Sequence, residues 1–280
     1  MEFKDYQIDE AQIKQRLDEI LAGDFKHLNR KDALRIVLSC IDLTTLEGSD
    51  NNQKIKDVCY QAKRFKVNGP DIPNVAAVCF YPPFAALAKE QLQNTGIQVA
   101  CVAGAFPSGQ SPLEVRLAEV RYAVEQGADE VDMVISRGKF LEGDFDYVYN
   151  EVKAHKEACG TAHLKVILET GELKTLSNIR KASDIAISAG ADFIKTSTGK
   201  IPQAATLEAF IVMLDAIKDH YDKTGEMIGI KPAGGIRQAD EALIYLLVLE
   251  NVLGEKWMNN EWFRIGASSL ANNVLEALLS

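Results

Sequence analysis

The sequence predicts an α/β barrel of eight parallel strands and eight helices, preceded by one extra N-terminal helix. From Arg35 onward, short apolar, β-branched runs alternate with longer amphipathic segments. This order is typical of parallel strands joined by crossover helices. Eight such units in about 250 residues match the usual size of a (β/α)8 barrel, and the chain has 280 residues.

A repeated tripeptide supports the barrel. Gly-Ala-Asp occurs at 127–129 and again at 190–192, each time between a predicted helix and a predicted strand, and the two copies start 63 residues apart (190 minus 127). That spacing fits two βα units of about 30 residues each. The alternative is an open doubly wound sheet, which is disfavoured because no GxGxxG follows the first strand.

The first predicted element is a helix over residues 9–22. Asp9 followed by Gln12 resembles a capping box, and apolar residues then recur at helical spacing until Gly23. This helix lies outside the alternating pattern. We therefore expect a single barrel domain, 1–280, with residues 1–31 as a helical extension.

The strands and helices of the barrel follow in strict alternation. The predicted strands lie near 37–43, 75–81, 99–105, 130–136, 163–170, 193–197, 227–233 and 263–267. The predicted helices lie near 51–65, 83–93, 112–125, 145–158, 173–188, 207–222, 238–253 and 270–279. The sequence Ser-Pro-Leu-Glu at 111–114 predicts that Ser111 caps the third of these helices, with Pro112 at its first position.

Composition limits the function classes. A net charge of −9 without a basic tract argues against a nucleic-acid partner. The acidic start, MEFKDYQIDE, does not resemble a signal peptide, and no apolar run is long enough to cross a bilayer. We expect a cytoplasmic protein without a membrane partner.

Cysteine and histidine spacing gives no sign of a metal or a disulfide framework. The five cysteines are scattered without a CxxC, and the four histidines form neither HxH nor HExxH. We expect reduced core thiols, no metal and no cofactor. Strand alternation places Cys79 inside the barrel.

Strand alternation also predicts a charged barrel interior. If the apolar residues of each strand face the helices, the intervening charged residues face inward. The inward acids are then Asp42, Asp132 and Glu169, and the inward lysines are Lys165, Lys195 and Lys231. One interpretation is a structural ion-pair network that fixes the barrel register, in particular for Lys165 and Glu169.

Lys195 is the strongest candidate for chemistry. A buried lysine is either neutralised by an acid or loses its proton and becomes a nucleophile. The simpler alternative is that Lys195 lies at a strand end and pairs with Asp192 or with solvent. Lys231 on the neighbouring strand favours the nucleophile, because two like charges in a low dielectric lower each other's pKa.

Three short segments predict a phosphate site. Gly199-Lys200 follows the sixth strand, Gly234-Gly235 follows the seventh, and Ser268-Ser269 begins the last helix. Glycines let backbone N–H groups approach an anion, and a helix N-terminus offers free donors. Phosphate sites after strands seven and eight recur in this fold.

Seven motifs in order resemble the deoxyribose-phosphate aldolase family. They are IDLTTL (41–46), AVCFYP (77–82), ADEVDMVI (128–135), LKVILETGEL (164–173), DFIKTSTGK (192–200), KPAGGIR (231–237) and FRIGASSL (263–270). The resemblance runs from about residue 32 to the C-terminus. It implies a class I, metal-independent lyase that cleaves 2-deoxy-D-ribose 5-phosphate to D-glyceraldehyde 3-phosphate and acetaldehyde in deoxyribonucleoside catabolism.

The resemblance also implies roles for individual residues. Lys195 would form the Schiff base, Lys231 would be the second lysine of a proton relay, and Asp132 would be its acid. Asp42 would contact the substrate hydroxyl region. The residues implied at the substrate and phosphate end are Thr198, Gly199, Lys200, Gly234, Gly235, Ser268 and Ser269.

Two features depart from the family pattern. Some members end in a flexible tail with a terminal tyrosine that assists proton transfer, whereas this sequence ends Leu-Leu-Ser. The helix at 9–22 lies outside the bacterial core and is a candidate interface, so a homo-oligomer is compatible with the sequence.

Two rival functions come from other classes. One is another Schiff-base barrel enzyme, such as a transaldolase or a sugar-bisphosphate aldolase, which should lack the ordered motifs. The other is a non-catalytic phosphate-binding barrel, which would have no use for two interior lysines.

Overall fold

The computed structural model describes residues 3–280, and its centre is a barrel of eight parallel strands arranged in chain order. The strands are β1 (Ile41–Thr44), β2 (Ala77–Phe80), β3 (Gln98–Val102), β4 (Glu130–Val134), β5 (His163–Ile167), β6 (Phe193–Lys195), β7 (Gly229–Lys231) and β8 (Ile265–Ala267). Strand β8 pairs with β1, and two isolated parallel bridges, Ile230 to Phe263 and Ala233 to Gly266, join the β7 and β8 segments. The predicted eight-stranded barrel is confirmed.

Eleven α-helices accompany the strands in residues 3–280. They are α1 (Glu10–Leu21), α2 (Arg30–Ser39), α3 (Asn52–Ala62), α4 (Ala85–Gln91), α5 (Leu113–Glu125), α6 (Arg137–Leu141), α7 (Phe145–Cys159), α8 (Leu176–Ser188), α9 (Leu207–Thr224), α10 (Ala239–Leu253) and α11 (Leu270–Leu279). Helix α1 packs on α9 and α10. Asp9 caps this helix, because its side chain accepts a hydrogen bond from the N–H of Ala11, but among residues 3–280 Gln12 does not make the reciprocal bond of the predicted capping box.

The prediction of a strand over 37–43 is wrong in its first half. Helix α2 continues to Ser39, and only residues from Ile41 onward pair in the sheet. Leu34, Val37 and Leu38 are all fully buried, and their i, i+3, i+4 spacing is that of a helix face. The predicted boundary of the N-terminal extension, residue 31, therefore lies within α2. This helix packs against α10 and α11.

Two smaller differences concern helix starts. Ser111 does not cap α5: Pro112 holds the cap position in an extended conformation with φ −51° and ψ 140°, and no side chain caps this helix. The short helix α6 was not predicted. It occupies the connection between β4 and α7, where five residues give too little periodicity to identify a helix.

The Gly-Ala-Asp repeat is a structural repeat. Gly127 and Gly190 end their helices with φ of 96° and 97°. The aspartate of each repeat accepts a hydrogen bond from a backbone N–H near the start of the preceding strand and also pairs with a lysine. Asp129 accepts from Val99 N at 2.9 Å and from Lys89 Nζ at 2.5 Å. Asp192 accepts from Leu164 N at 2.7 Å and from Lys156 Nζ at 2.5 Å. Asp192 is thus committed to Lys156 and is not the partner of Lys195.

Apolar side chains form two separate clusters. The large one lies between the strands and the surrounding helices. The small one lies inside the barrel and consists of Leu46, Cys79, Ala100, Val102, Phe106, Val134 and Ile167, with Tyr81 packed against it. The predicted inward position of Cys79 is confirmed. No helix within residues 3–280 is both long and apolar enough to cross a membrane.

Candidate active site

Seven charged side chains meet inside the barrel, and none is more than 5% exposed. They are Asp42, Glu130, Asp132, Lys165, Lys195, Lys231 and Arg264. Strands β1, β4, β5, β6 and β7 carry six of them, and Arg264 directly precedes β8. Burial of this many charges requires that each has a partner of opposite sign.

The ion pairs nearer the carboxyl ends of the strands centre on Asp132. Lys231 Nζ lies 2.8 Å from Asp132 Oδ2 and 2.5 Å from Asp42 Oδ2. Lys165 Nζ lies 3.3 Å from the other Asp132 oxygen, Oδ1. The strand register explains the contact of Lys165, because Asp132 is its direct neighbour across β4 and β5.

The ion pairs nearer the amino ends of the strands centre on Arg264. Its Nη1 donates to Asp42 Oδ1 at 2.8 Å, and its Nη2 donates to Glu130 Oε1 at 2.8 Å. Lys165 donates to the other oxygen of Glu130. Together these ion pairs close a ring of alternating charge, which we call the charge ring. Its members, in order around the ring, are Asp42, Lys231, Asp132, Lys165, Glu130 and Arg264.

Lys195 lies outside this balance. The charge ring holds three carboxylates and three cations, so its members compensate one another. Lys195 Nζ lies 2.7 Å from Asp132 Oδ2, an oxygen already bound by Lys231. When Lys195 is protonated, its positive charge is consequently the one that the carboxylates of the barrel interior balance least.

The pKa directions agree with this charge balance. Burial lowers the pKa of Lys195, and repulsion from Lys231 lowers it further, so that the attraction of Asp132 does not restore the usual value. Burial would also lower the pKa of Lys231, but Asp132 and Asp42 together raise it above its usual value. Burial would raise the pKa of Asp132, but Lys165, Lys195 and Lys231 hold it well below its usual range. The site therefore combines a carboxylate with a lowered pKa, Lys231 with a raised pKa and Lys195 with a lowered pKa.

Strand alternation located five of these seven residues. Glu130 and Arg264 were missed, although the signal was present. Glu130 lies two residues before Asp132 and so shares its face of β4. Arg264 stands between Phe263 and Ile265, two apolar residues that face the helices.

Glu169 is buried as predicted, but it does not join the charge ring. It lies just beyond β5 with φ of 55°, an uncommon conformation for a residue with a side chain. Its carboxylate accepts the backbone N–H of Thr198 at 3.2 Å and the Thr198 hydroxyl at 2.5 Å. Both donors of Thr198 are therefore directed to Glu169, and Thr198 shapes the loop that begins with it.

Gly199 and Gly234 bring two loops into close contact above the barrel. Both have positive φ, 75° and 83°. A Cβ at Gly234 would lie 2.5 Å from Ala204 Cβ and 3.1 Å from Gly199 Cα, so only glycine fits there. Gly235 follows with φ of 88° and is exposed. This places unobstructed backbone at the carboxyl ends of β6 and β7.

Ser268 and Ser269 lie at the neighbouring strand end. Both are exposed, and Ser269 precedes α11 without a side-chain cap bond. The bridge between Ala233 and Gly266 makes the loops after β7 and β8 emerge side by side. The N-terminus of α11 thus opens beside Gly234 and Gly235, where free N–H groups favour an anion.

Lys200 has a different partner from the one that the sequence suggested. Its Nζ donates to Glu47 Oε1 at 2.9 Å, and the Lys200 side chain is 31% exposed. Glu47 follows β1, so this pair bridges opposite sides of the barrel mouth. A phosphate that binds Lys200 must compete with Glu47.

The opposite end of the barrel holds a separate cavity of about 1170 Å³. Glu130, Phe193 and Arg264 are among its lining residues. Within residues 3–280, no group of three or more His, Cys, Asp or Glu side chains is arranged to hold a metal ion.

Comparison with known proteins gives a consistent picture. A family model described as DeoC/LacD family aldolase matches residues 36–256. The chain is 48% identical over 245 residues to the deoxyribose-phosphate aldolase of Homo sapiens, a match that covers 84% of this chain and 77% of the human protein. It is 47% identical over 248 residues to the Bos taurus deoxyribose-phosphate aldolase, covering 85% and 78%.

Solved structures match over nearly the whole chain. A structure described as the unique tetrameric structure of deoxyribose phosphate aldolase from Aeropyrum pernix superposes with a TM-score of 0.69 at 25% identity, covering 98% of this chain and 99% of that one. Triosephosphate isomerase of Bartonella henselae matches with a TM-score of 0.52 at 12% identity, covering 86% and 99%. The second likeness concerns the fold alone.

Proposed function

Because the chain belongs to the DeoC/LacD family of aldolases, and is thus a lyase, we propose that it cleaves 2-deoxy-D-ribose 5-phosphate reversibly to D-glyceraldehyde 3-phosphate and acetaldehyde. Lys195 forms the Schiff base. One observation carries this proposal: Lys195 is the seventh charge beside a ring of six that is already balanced. The names of the human and bovine relatives supply the substrate.

The reaction begins when the neutral Lys195 amine attacks C1 of the open-chain sugar. The carbinolamine loses water and becomes an iminium ion. Loss of the C3 hydroxyl proton then breaks the C2–C3 bond, since acetaldehyde retains only two carbons, and the electron pair moves into the iminium. D-glyceraldehyde 3-phosphate leaves, and an enamine of acetaldehyde stays on Lys195.

Asp132 and Lys231 transfer the protons. The carboxylate of Asp132 lies 2.7 Å from Lys195 Nζ and 2.8 Å from Lys231 Nζ, so it can accept a proton at one step and return it at another. Protonation of the enamine at C2 and addition of the released water then free acetaldehyde and the amine. This is general acid–base catalysis on a covalent intermediate.

The phosphate binds at the carboxyl ends of β6 to β8. Gly234 and Gly235 supply backbone N–H groups, Ser268 and Ser269 supply donors at the start of α11, and Lys200 supplies charge once Glu47 releases it. Thr198 and Gly199 give the loop its shape. Asp42, whose carboxylate pairs with Lys231 and Arg264, contacts the hydroxyl region of the sugar in this proposal.

The remaining parts of the proposal concern the setting of the enzyme. We assign it to deoxyribonucleoside catabolism in the cytoplasm, with sugar phosphates and aldehydes as its only partners besides copies of itself. The chain acts as one domain, in which the N-terminal helix α1 is available for subunit contacts.

Trapping of the intermediate tests the proposal. The protein is incubated with acetaldehyde and sodium borohydride, digested, and its peptides are weighed. We expect one two-carbon adduct on the Lys195 peptide, and none on that peptide in a Lys195→Met variant. Cleavage of 2-deoxy-D-ribose 5-phosphate is measured in the same preparations.

Several outcomes would contradict the proposal. Label on Lys231 alone would remove the assignment of Lys195. Absence of any adduct would favour a non-catalytic phosphate-binding barrel. A trapped adduct combined with faster cleavage of a ketose bisphosphate than of deoxyribose 5-phosphate would favour another Schiff-base aldolase.

A further inference from the structure

Arg264 and Glu130 lie at the end of the barrel opposite to the proposed reaction. Neither contacts Lys195. Both line the cavity of about 1170 Å³ at that end of the barrel. Both are buried, since Arg264 is 5% exposed and Glu130 is 2% exposed. Two buried charges so far from a substrate need another explanation.

Phe193 separates these two residues from the reacting end. It lies two positions before Lys195 on β6 and so shares its face of the strand. Arg264 approaches the Phe193 ring to 5.8 Å and Lys165 Nζ approaches it to 5.7 Å, both measured to the ring centroid. Phe193 is buried and borders the cavity at the amino ends of the strands, whereas Lys195 is not among the residues that line this cavity. Electrostatic effects between the charge ring and Lys195 are less screened than in water, because all of these side chains are buried.

Two chains of ion pairs connect Arg264 to Lys195. One runs through Asp42 and Lys231, and the other through Glu130 and Lys165. Both end on Asp132, the carboxylate that holds Lys195. The charge on Lys195 therefore depends on the sum of the charge ring and not on one neighbour.

We propose that Arg264 and Glu130 are positioning residues that set the charge state of Lys195 from the far end of the barrel, through the balance of the charge ring. This inference rests on the proposed role of Lys195 as the reacting amine. Within residues 3–280, the titratable and charged groups that face the barrel interior around Lys195 are Asp42, Cys79, Tyr81, Glu130, Asp132, Lys165, Glu169, Lys231 and Arg264.

Removal of either charge should shift the pKa of Lys195 in a predictable direction. Arg264→Met leaves three carboxylates against two cations, which stabilises the proton on Lys195. Glu130→Gln leaves three cations against two carboxylates, which destabilises that proton. Removal of a unit charge about 10 Å away in a protein interior moves a titration midpoint by about one pH unit.

The test measures adduct formation on Lys195 with acetaldehyde and borohydride as a function of pH, each variant being compared with wild type at the same pH. We expect the midpoint to rise by about one pH unit in Arg264→Met and to fall by about one pH unit in Glu130→Gln. Arg264→Lys keeps the charge and should stay near wild type. The double variant Arg264→Met/Glu130→Gln should return toward the wild-type midpoint.

A purely structural role would not produce opposite shifts that cancel. Unchanged midpoints, or shifts in the same direction, would overturn the inference while the labelled wild type still supported the proposed function. If Arg264→Met does not fold, Glu130→Gln decides alone, since it is isosteric and a midpoint that stays or rises contradicts the inference. A wild type without label on Lys195 would remove the proposed function and this inference together.

Discussion

Lys195 and Lys231 are direct neighbours across β6 and β7, and both Nζ atoms contact the same carboxylate oxygen, Asp132 Oδ2, at 2.7 and 2.8 Å. One oxygen cannot compensate two ammonium groups fully. Lys231 has a second carboxylate, Asp42, at 2.5 Å, and Lys195 has none. This asymmetry supports the proposal that Lys231 keeps its proton and that Lys195 supplies the reacting amine.

Replacement of Lys231 by Leu should therefore lower turnover strongly. The substitution removes the repulsion on Lys195 and leaves the ring with one carboxylate in excess, and both effects favour protonated Lys195. Loss of a relay group adds to this, so we expect a decrease of about 100-fold or more in kcat. The pH profile of adduct formation should move to higher pH.

The control is Lys153→Leu, which removes an exposed lysine on α7. It should keep both turnover and pH profile. If Lys231→Leu formed the trapped adduct with an unchanged pH profile, repulsion would not activate Lys195, and burial alone would have to lower its pKa.

The ion pair between Lys200 and Glu47 predicts opposite effects on substrate affinity. Lys200→Ala should raise KM for the phosphorylated sugar by about tenfold, since it removes a charge-assisted contact. Glu47→Gln should lower that KM, because the phosphate no longer competes for Lys200. Steady-state kinetics with 2-deoxy-D-ribose provide the control, since neither substitution should alter KM for a sugar without phosphate.

Cys79 should react with unsaturated aldehydes slowly and in a pH-dependent way. Burial raises its pKa to about 11, so only about one molecule in a thousand carries the thiolate at pH 8. Inactivation by crotonaldehyde should accelerate about tenfold per pH unit below that pKa. Cys79→Met should lose activity more slowly than wild type, whereas Cys159→Ala should resemble wild type. Equal rates for Cys79→Met and wild type would contradict alkylation at this site.

His155 should make stability depend on pH in the acid range. Burial lowers its pKa from 6.5 to about 4, and Arg116 adds to the effect. Its Nδ1 lies 2.6 Å from the Glu151 carbonyl oxygen, and its Nε2 has no hydrogen-bond partner within residues 3–280. The folded protein thus resists a proton that the unfolded chain accepts below pH 6.5.

Stability should consequently fall as the pH falls from 6.5 toward 4. The contribution of His155 between pH 7 and pH 5 is about 2 kcal/mol. Urea titrations should show a shallower loss over this range in His155→Gln. His27→Gln, a substitution of an exposed histidine, should keep the wild-type slope. The same slope in His155→Gln and wild type would refute the assignment.

Chelation should leave the activity intact. The proposed chemistry uses an iminium as the electron sink, so no Lewis acid is needed to stabilise the negative charge that develops at C2. Cleavage of deoxyribose 5-phosphate is measured before and after incubation with EDTA. Complete loss of activity that zinc restores would show that the proposed chemistry is incomplete.

The sequence predicts the barrel and most of its interior because strand alternation is a local property. Asp132 and Lys231 stand between apolar residues, and Lys195 follows the apolar Ile194, which is enough to point these three side chains inward. Residues 37–39 could not be assigned by the same means, since a β-branched apolar run suits a strand and a buried helix face equally.

The contacts between distant elements could not be predicted. The pair of Arg264 with Asp42 depends on the stagger of strands around the closed barrel, which no single segment encodes. The contact of Glu169 with Thr198 depends on a positive φ at a residue that is not glycine. Lys200 likewise finds Glu47 only because two loops meet across the barrel mouth.

The closed charge ring has a consequence for how this barrel folds. Its members extend from residue 42 to residue 264, so the first strand and the last must both be in place before each carboxylate has its cations. An intermediate with β1 to β5 formed would hold Asp42 without any of its ring partners, and its interior would have to stay hydrated. Since an unpaired buried charge is strongly unfavourable, the ring makes the two halves of the barrel interdependent and favours cooperative completion of the whole structure. The nascent chain therefore acquires a fully paired interior only after β8 has been synthesised.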